Sequence, residues 1–188
     1  AVSQATYPSA SAAVIATGRE FPDALTSGPL AARLEGPVLL NSGDTVRAEV
    51  LAELVRLGAK TVYIAGGEGA IPSSVESELA QQGFKVKRLG GANRFQTSLA
   101  IAQEIQRLSG GTTIPVALTT GERFPDALSA TPAVAKMGGA IVLTQGDVLG
   151  KDVGEFLGSR HRSTVVAIGG PAQVAAEDAG ITLSWSEV

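Results

Sequence analysis

The chain has 188 residues, with 15 Lys and Arg against 18 Asp and Glu, one His and no Cys. Apolar residues make up 44% and charged ones 18%, which excludes intrinsic disorder. The absence of cysteine excludes disulfides, thiolate metal sites and a cysteine nucleophile, and a net charge of −3 speaks against general affinity for nucleic acid.

In chain order, short apolar runs bounded by Gly or Pro predict strands over 13–17, 37–41, 61–65 and 84–88. Amphipathic stretches between them predict helices over 22–34, 46–57 and 72–82. The first and third begin with proline, whose missing N–H costs nothing in a first turn. The second sets Val46, Val50, Leu54 and Leu57 on one stripe and stops at Gly58. A longer helix is predicted over 94–108. Strands over 115–119, 140–144, 164–168 and 181–184 then alternate with helices over 125–137, near 151–159 and after Gly169-Gly170. Such alternation, with nearly continuous apolar strands, means mainly parallel sheets with helices on both faces. No apolar run approaches the length of a membrane span, and no charged-then-apolar leader opens the chain.

The chain repeats itself. The segment Thr17-Gly18-Arg19-Glu20-Phe21-Pro22-Asp23-Ala24-Leu25 returns 103 residues later as Thr120-Gly121-Glu122-Arg123-Phe124-Pro125-Asp126-Ala127-Leu128. The same offset pairs Pro29 with Pro132, Leu40 with Leu143 and Gly66-Gly67 with Gly169-Gly170, without a gap. A tandem duplication accounts for this, with units over 1–88 and 89–188. The second unit opens with a segment, 89–98, that has no counterpart in the first, where 1–4 resembles only the tail of such a helix. Both ends are therefore expected to be cut from a longer array.

Several side chains are candidates for chemistry. Asp23 and Asp126 follow proline at a helix start, where a carboxylate meets the helix dipole and accepts unpaired N–H groups. They also stand at the carboxyl edge of a strand, where open α/β sheets bind ligands. The stretch 79–103 carries no acid and four bases: Lys85, Lys87, Arg88 and Arg94. Arg94 has the fork that suits a phosphate or carboxylate, and it equally suits a salt bridge to Asp23 or Asp126 across the unit boundary. Lys85 and Lys87 share one face of a strand, where lysine protects an edge from aggregation or meets a polyanion. Thr97, Thr17, Thr119 and Thr120 offer hydroxyls to a glycan. His161, between two arginines, has no second His to make a metal site and reads as surface. Trp185 reads as an anchor or a tail residue. No motif supports a catalytic triad or a Walker loop.

Three motifs together resemble the bacterial cell wall binding repeat 2 family. They are Gly91-Ala92-Asn93-Arg94-Phe95-Gln96-Thr97, the twice-present Thr-Gly-x-x-Phe-Pro-Asp-Ala-Leu segment, and Gly66-Gly67-Glu68-Gly69-Ala70-Ile71, whose second copy is degenerate. Asn93 stands where that family more often has Asp. The resemblance implies open, Rossmann- or Toprim-like α/β units that pack around a pseudo-threefold axis. It further implies a secreted, non-catalytic module on the bacterial surface, without cofactor, that attaches to an anionic wall polysaccharide or teichoic-type polymer. The ligand-contacting residues expected on this reading are Arg94, Thr97, Asp23, Asp126, Lys85 and Lys87. Adjacent repeats of the same protein are the other expected partners, and a scaffold that only packs repeats together is the alternative.

Overall fold

A computed structural model describes residues 2–158 and 164–184. His161, its flanking arginines and Trp185 lie outside the described residues. The first unit runs α1 (Val2–Thr6), β1 (Ala12–Thr17), α2 (Pro22–Arg33), β2 (Val38–Asn41), α3 (Ala48–Leu57), β3 (Thr61–Ala65), α4 (Ser73–Gln81) and β4 (Lys85–Leu89). The second runs α5 (Arg94–Leu108), β5 (Val116–Thr120), α6 (Pro125–Lys136), β6 (Ala140–Thr144), α7 (Lys151–Gly158), β7 (Val165–Ile168) and α8 (Gly170–Asp178). Two parallel sheets result, ordered β2-β1-β3-β4 and β6-β5-β7. The fold is thus a tandem repeat of open, parallel α/β units.

One expectation differs. Residues 181–184 run beside β7, with the Ser184 N–H donating to the Val165 carbonyl at 2.7 Å, but they form no strand. Their alternation survives in packing, because Ile181 and Leu183 both lean on the core. Among the described residues this does not make a ladder, and they hold no full equivalent of the strand β4 of the first unit.

Local chemistry explains the element ends. Gly58 caps α3 in the left-handed region at φ 70°, where a side chain would be strained. Asn93 caps α5, its side-chain oxygen accepting from the Gln96 N–H at 3.0 Å. An aspartate would cap in the same way, so asparagine at this motif position keeps the helix start intact.

One core joins the units. Val14, Leu30 and Tyr63 from the first share a cluster with Ile101, Ile105, Val116, Leu118 and Val142 from the second. Helix α5 lies at this junction, packed on α2 and on β6. Helices α2 and α6 meet through residues one repeat apart. Phe21 and Phe124 stack edge to face, with ring centroids 5.8 Å apart. Gly28 faces Thr131, its own repeat equivalent, and a methyl at Gly28 would come within 2.5 Å of the Thr131 Cγ2. Pro29 deprives the Leu25 carbonyl of its helical donor, and the Thr131 hydroxyl approaches that oxygen at 3.5 Å.

The two units differ at their outer strands. Leu143 on β6 is 2% exposed beneath α5, and its N–H donates to the Ser98 hydroxyl at 3.0 Å. Leu40, at the same repeat position on β2, is 54% exposed.

Thr119 on β5 is fully buried and its hydroxyl has no hydrogen-bond partner, whereas the first unit has Ala16 at this position. Thr119→Val keeps the shape and removes the orphaned polar atom. It is expected to raise stability by about 1 kcal/mol, measured by urea unfolding.

Candidate functional site

The strand order of the first sheet reverses at β1, whose two neighbours are β2 and β3. Chains leave β1 and β3 on opposite sides of that point, and the gap they open is where α/β sheets receive ligands. A cavity of about 390 Å³ sits there. Its walls come from the ends of β1 and α2 (Thr17, Arg19, Glu20, Asp23) and from the turn after β3 (Gly67, Gly69). The segment leading into α5 completes it with Gly91, Asn93, Arg94 and Thr97. The opening of the second unit therefore forms one wall of the site of the first.

Asp23 is 8% exposed, in the first turn of α2, and no hydrogen bond from the described residues reaches its carboxylate. It faces the turn after β3: at Gly66, where φ is 125°, a methyl would come within 2.8 Å of the Asp23 Oδ2. Asp126 repeats this contact against Gly169, where φ is 91°. The twice-present aspartate and the twice-present glycine pair are thus two halves of one arrangement, although they lie far apart in sequence. Burial pushes the Asp23 carboxyl up to about 6, against the lowering influence of Arg94 and with that of nearby Glu20 added.

Arg94 pairs with neither aspartate. Its guanidinium donates to the Glu20 carboxylate at 2.8 Å and to the Gly121 carbonyl at 2.9 Å, and its carbon lies 5.9 Å from the centre of the Phe21 ring. The reason is position. Glu20 lies in the loop before α2, in reach of α5, while Asp23 is turned inward to the glycine pair. Arg94 thereby ties the first unit to the second. Because the Glu20 side chain is 65% exposed, this ion pair contributes little, and the bond to the carbonyl contributes more. Arg94→Ala is expected to lower stability by about 1–2 kcal/mol in urea unfolding; a loss as large as that for a buried pair would contradict this geometry.

Thr97 is buried and lines the cavity, its hydroxyl accepting from the Gly91 N–H at 3.4 Å. Thr17 and Thr120 each accept from the N–H two residues on, closing the loop after their strand in both units. Lys85 and Lys87 lie on β4, an edge strand of the first sheet, and neither lines this cavity. Lys87 donates to Glu104 at 2.5 Å, and Arg107 grips the same carboxylate at 2.8 Å through two nitrogens. Hydrogen bonds from Arg107, opposed by burial and joined by Lys87, hold Glu104 down to about 2. Arg88 is likewise engaged, donating to Glu76 at 2.7 Å and to the Gly66 carbonyl at 3.0 Å.

Sequence reasoning missed Glu20, Arg19 and Glu104. Glu20 and Arg19 are loop residues whose repeat equivalents are Arg123 and Glu122, so the duplication carried no signal for them. Glu104 was legible in principle, since it precedes Arg107 by three residues on a helix.

In the second unit the corresponding edge holds a wider recess of about 740 Å³ lined by Glu122, Gln145, Asp147, Val148 and Val174. Among the described residues, none plays there the part that 91–97 play in the first unit. No group of three or more metal-ligating side chains is gathered among the described residues, and no helix among them is long and apolar enough to cross a membrane.

Comparison with known proteins gives the family and the fold. A profile of the Cell wall binding domain 2 (CWB2) family matches residues 1–76 and 88–177. The chain is 28% identical over 173 residues to the N-acetylmuramoyl-L-alanine amidase LytC of Bacillus subtilis (strain 168), covering 92% of this chain and 34% of that protein. It is 35% identical over 137 residues to the amidase enhancer of the same organism, covering 72% of this chain and 19% of that protein. It therefore spans about a third or less of these relatives. Cwp8 from Clostridium difficile superposes with a TM-score of 0.80 at 30% identity, over 94% of this chain and 30% of that one. Cwp6 from the same organism gives 0.80 at 27%, over 90% and 26%. With both repeats matched by the profile, the chain belongs to the Cell wall binding domain 2 family.

Proposed function

We propose that the chain is a non-catalytic module, built of units 1–88 and 89–188, that holds a secreted protein at the bacterial wall by binding an anionic polysaccharide or teichoic-type polymer. The observation that carries this reading is the cavity at the carboxyl edge of β1 and β3, which the second unit helps to wall. Its polar lining comes from hydroxyl, carboxylate, guanidinium and backbone groups. In the amidase and the amidase enhancer, any activity would then lie in the larger part of the chain that this module does not cover.

Purified chain should sediment with isolated Gram-positive walls and lose most of that binding when the anionic polymer is stripped from the peptidoglycan. Retention as strong on stripped walls would overturn the polymer as ligand. Arg19 is an exposed base in the wall of the site and Lys85 is exposed on β4 outside it, and screening of such charges sets in beyond about 8 Å near physiological salt. Wall binding is therefore expected to fall by roughly 25- to 60-fold between 0.05 and 0.5 M salt, the size expected for about two released counterions. Salt-indifferent binding would show that the polymer's charge is not what is read. The scaffold reading draws on the core shared by the two units; it predicts no sedimentation with walls of either kind.

A further inference from the structure

Asp23 stands in the first turn of α2, where its charge suits the helix dipole, but it has no hydrogen-bonded partner among the described residues. Yet it is more than nine-tenths buried at the wall of an open cavity. Without a partner in the fold, its oxygens are left to whatever the open cavity holds, and folded chains give such inward-turned carboxylates a partner or a use. Its surroundings define what that partner is. Arg19 and Arg94 face the cavity with Glu20 and Asp23, two charges of each sign. An anion entering would meet both carboxylates, and a cation would meet both guanidinium groups. What fits is a neutral group that donates to carboxylates and accepts from N–H groups in the same small space, with the Thr17 and Thr97 hydroxyls beside it. A pair of adjacent hydroxyls on a sugar ring does both.

We propose that this cavity receives vicinal hydroxyls of a neutral sugar ring, with Asp23 as their acceptor and the backbone of the Gly67 and Gly91 turns as the opposite wall. This rests on the wall-polymer reading and refines it: the module reads an uncharged sugar of the polymer in the cavity, while the polymer's phosphates or carboxylates stay outside. The volume, about 390 Å³, is within the range of small-molecule sites. No aromatic ring lines it, so a single sugar gains no stacking contact and binds weakly, with Kd on the order of 1–10 mM.

The test uses the full 188-residue chain, labelled with 15N, and follows the amides of Gly67, Gly69, Gly91 and Asn93. The probes are the methyl glycosides of glucose, galactose and mannose, N-acetylglucosamine, and inorganic phosphate. At least one sugar should saturate these amides, and phosphate should leave them unmoved. Both Asp23→Asn and Asp23→Ala should weaken the sugar by about tenfold, the value of one hydrogen bond to a charged group. The proposal is overturned if none of the four sugars moves these amides, if phosphate binds there more tightly than any sugar, or if both variants bind as the parent does. Sedimentation with walls is run on the same preparation. Walls bound without sugar binding in the cavity would overturn this proposal and keep the wall-polymer reading. Sugar bound in the cavity without retention on walls would do the reverse.

Discussion

Replacing Ile101 by alanine is expected to lower stability by about 3–4 kcal/mol, in one cooperative transition for both units. Ile101 is fully buried on α5, within the cluster that runs from Val14 and Leu30 to Val116 and Val142. Loss of three methyl or methylene carbons there leaves a void bounded by both sheets, which neither can fill alone. Denaturation followed by amide exchange, with probes on β1 and on β5, measures both quantities. Separate midpoints for the two strands would mean that the shared core does not couple the units, and a loss below about 1 kcal/mol would mean that the site collapses freely.

Asp23→Asn is expected to act in the opposite direction, raising stability at pH 7 by about 2–3 kcal/mol. The sign follows from the titration. Asp23 has an ordinary value of 3.8 and is raised to about 6 by burial. Above pH 6 the folded chain holds the charge in a poor environment and is penalised. Between 6 and 3.8 the folded chain takes up its proton before the unfolded one does, and the penalty fades. Asparagine is neutral throughout, so its advantage is full at pH 7 and gone near pH 4. Urea unfolding at the two values distinguishes this from simple repacking: a gain that persists at pH 4, or a loss at pH 7, would show that the charge of Asp23 is not what matters. A side chain that weakens the fold while facing an open cavity is the pattern expected when function sets the residue.

The duplication and the strand–helix order could be read directly, because a fixed offset and the period of apolar residues are one-dimensional signals. Four features could not. The pairing of Asp23 with Gly66, and of Asp126 with Gly169, joins segments whose separation in sequence says nothing of their distance. Arg94 was legible as a charged fork at a unit boundary, but its choice of Glu20 over the aspartates depends on which way each carboxylate turns. The basic stretch around β4 read as an unopposed charge, because Glu104 and Glu76, which engage Lys87 and Arg88, lie outside it in sequence. The strand expected over 181–184 kept its apolar alternation and lost its ladder, since alternation reports burial and not hydrogen bonding.

Helix α5 belongs to both units, giving one its cavity wall and the other the cover of its outer strand. The units are therefore not beads on a flexible cord. The core they share and the packing of α5 on α2 and β6 couple the two units, so the spacing of their recesses follows from that packing, like marks on a rule. On the proposed reading, a long polymer lying across the module meets that spacing ready-made. Chains whose own period matches it gain from every recess at once, and chains whose period does not are held by one recess at a time. On that reading, coupling between repeats would select among polymers that carry the same sugars, and a pull on a protein anchored in this way would pass through the interior the units share.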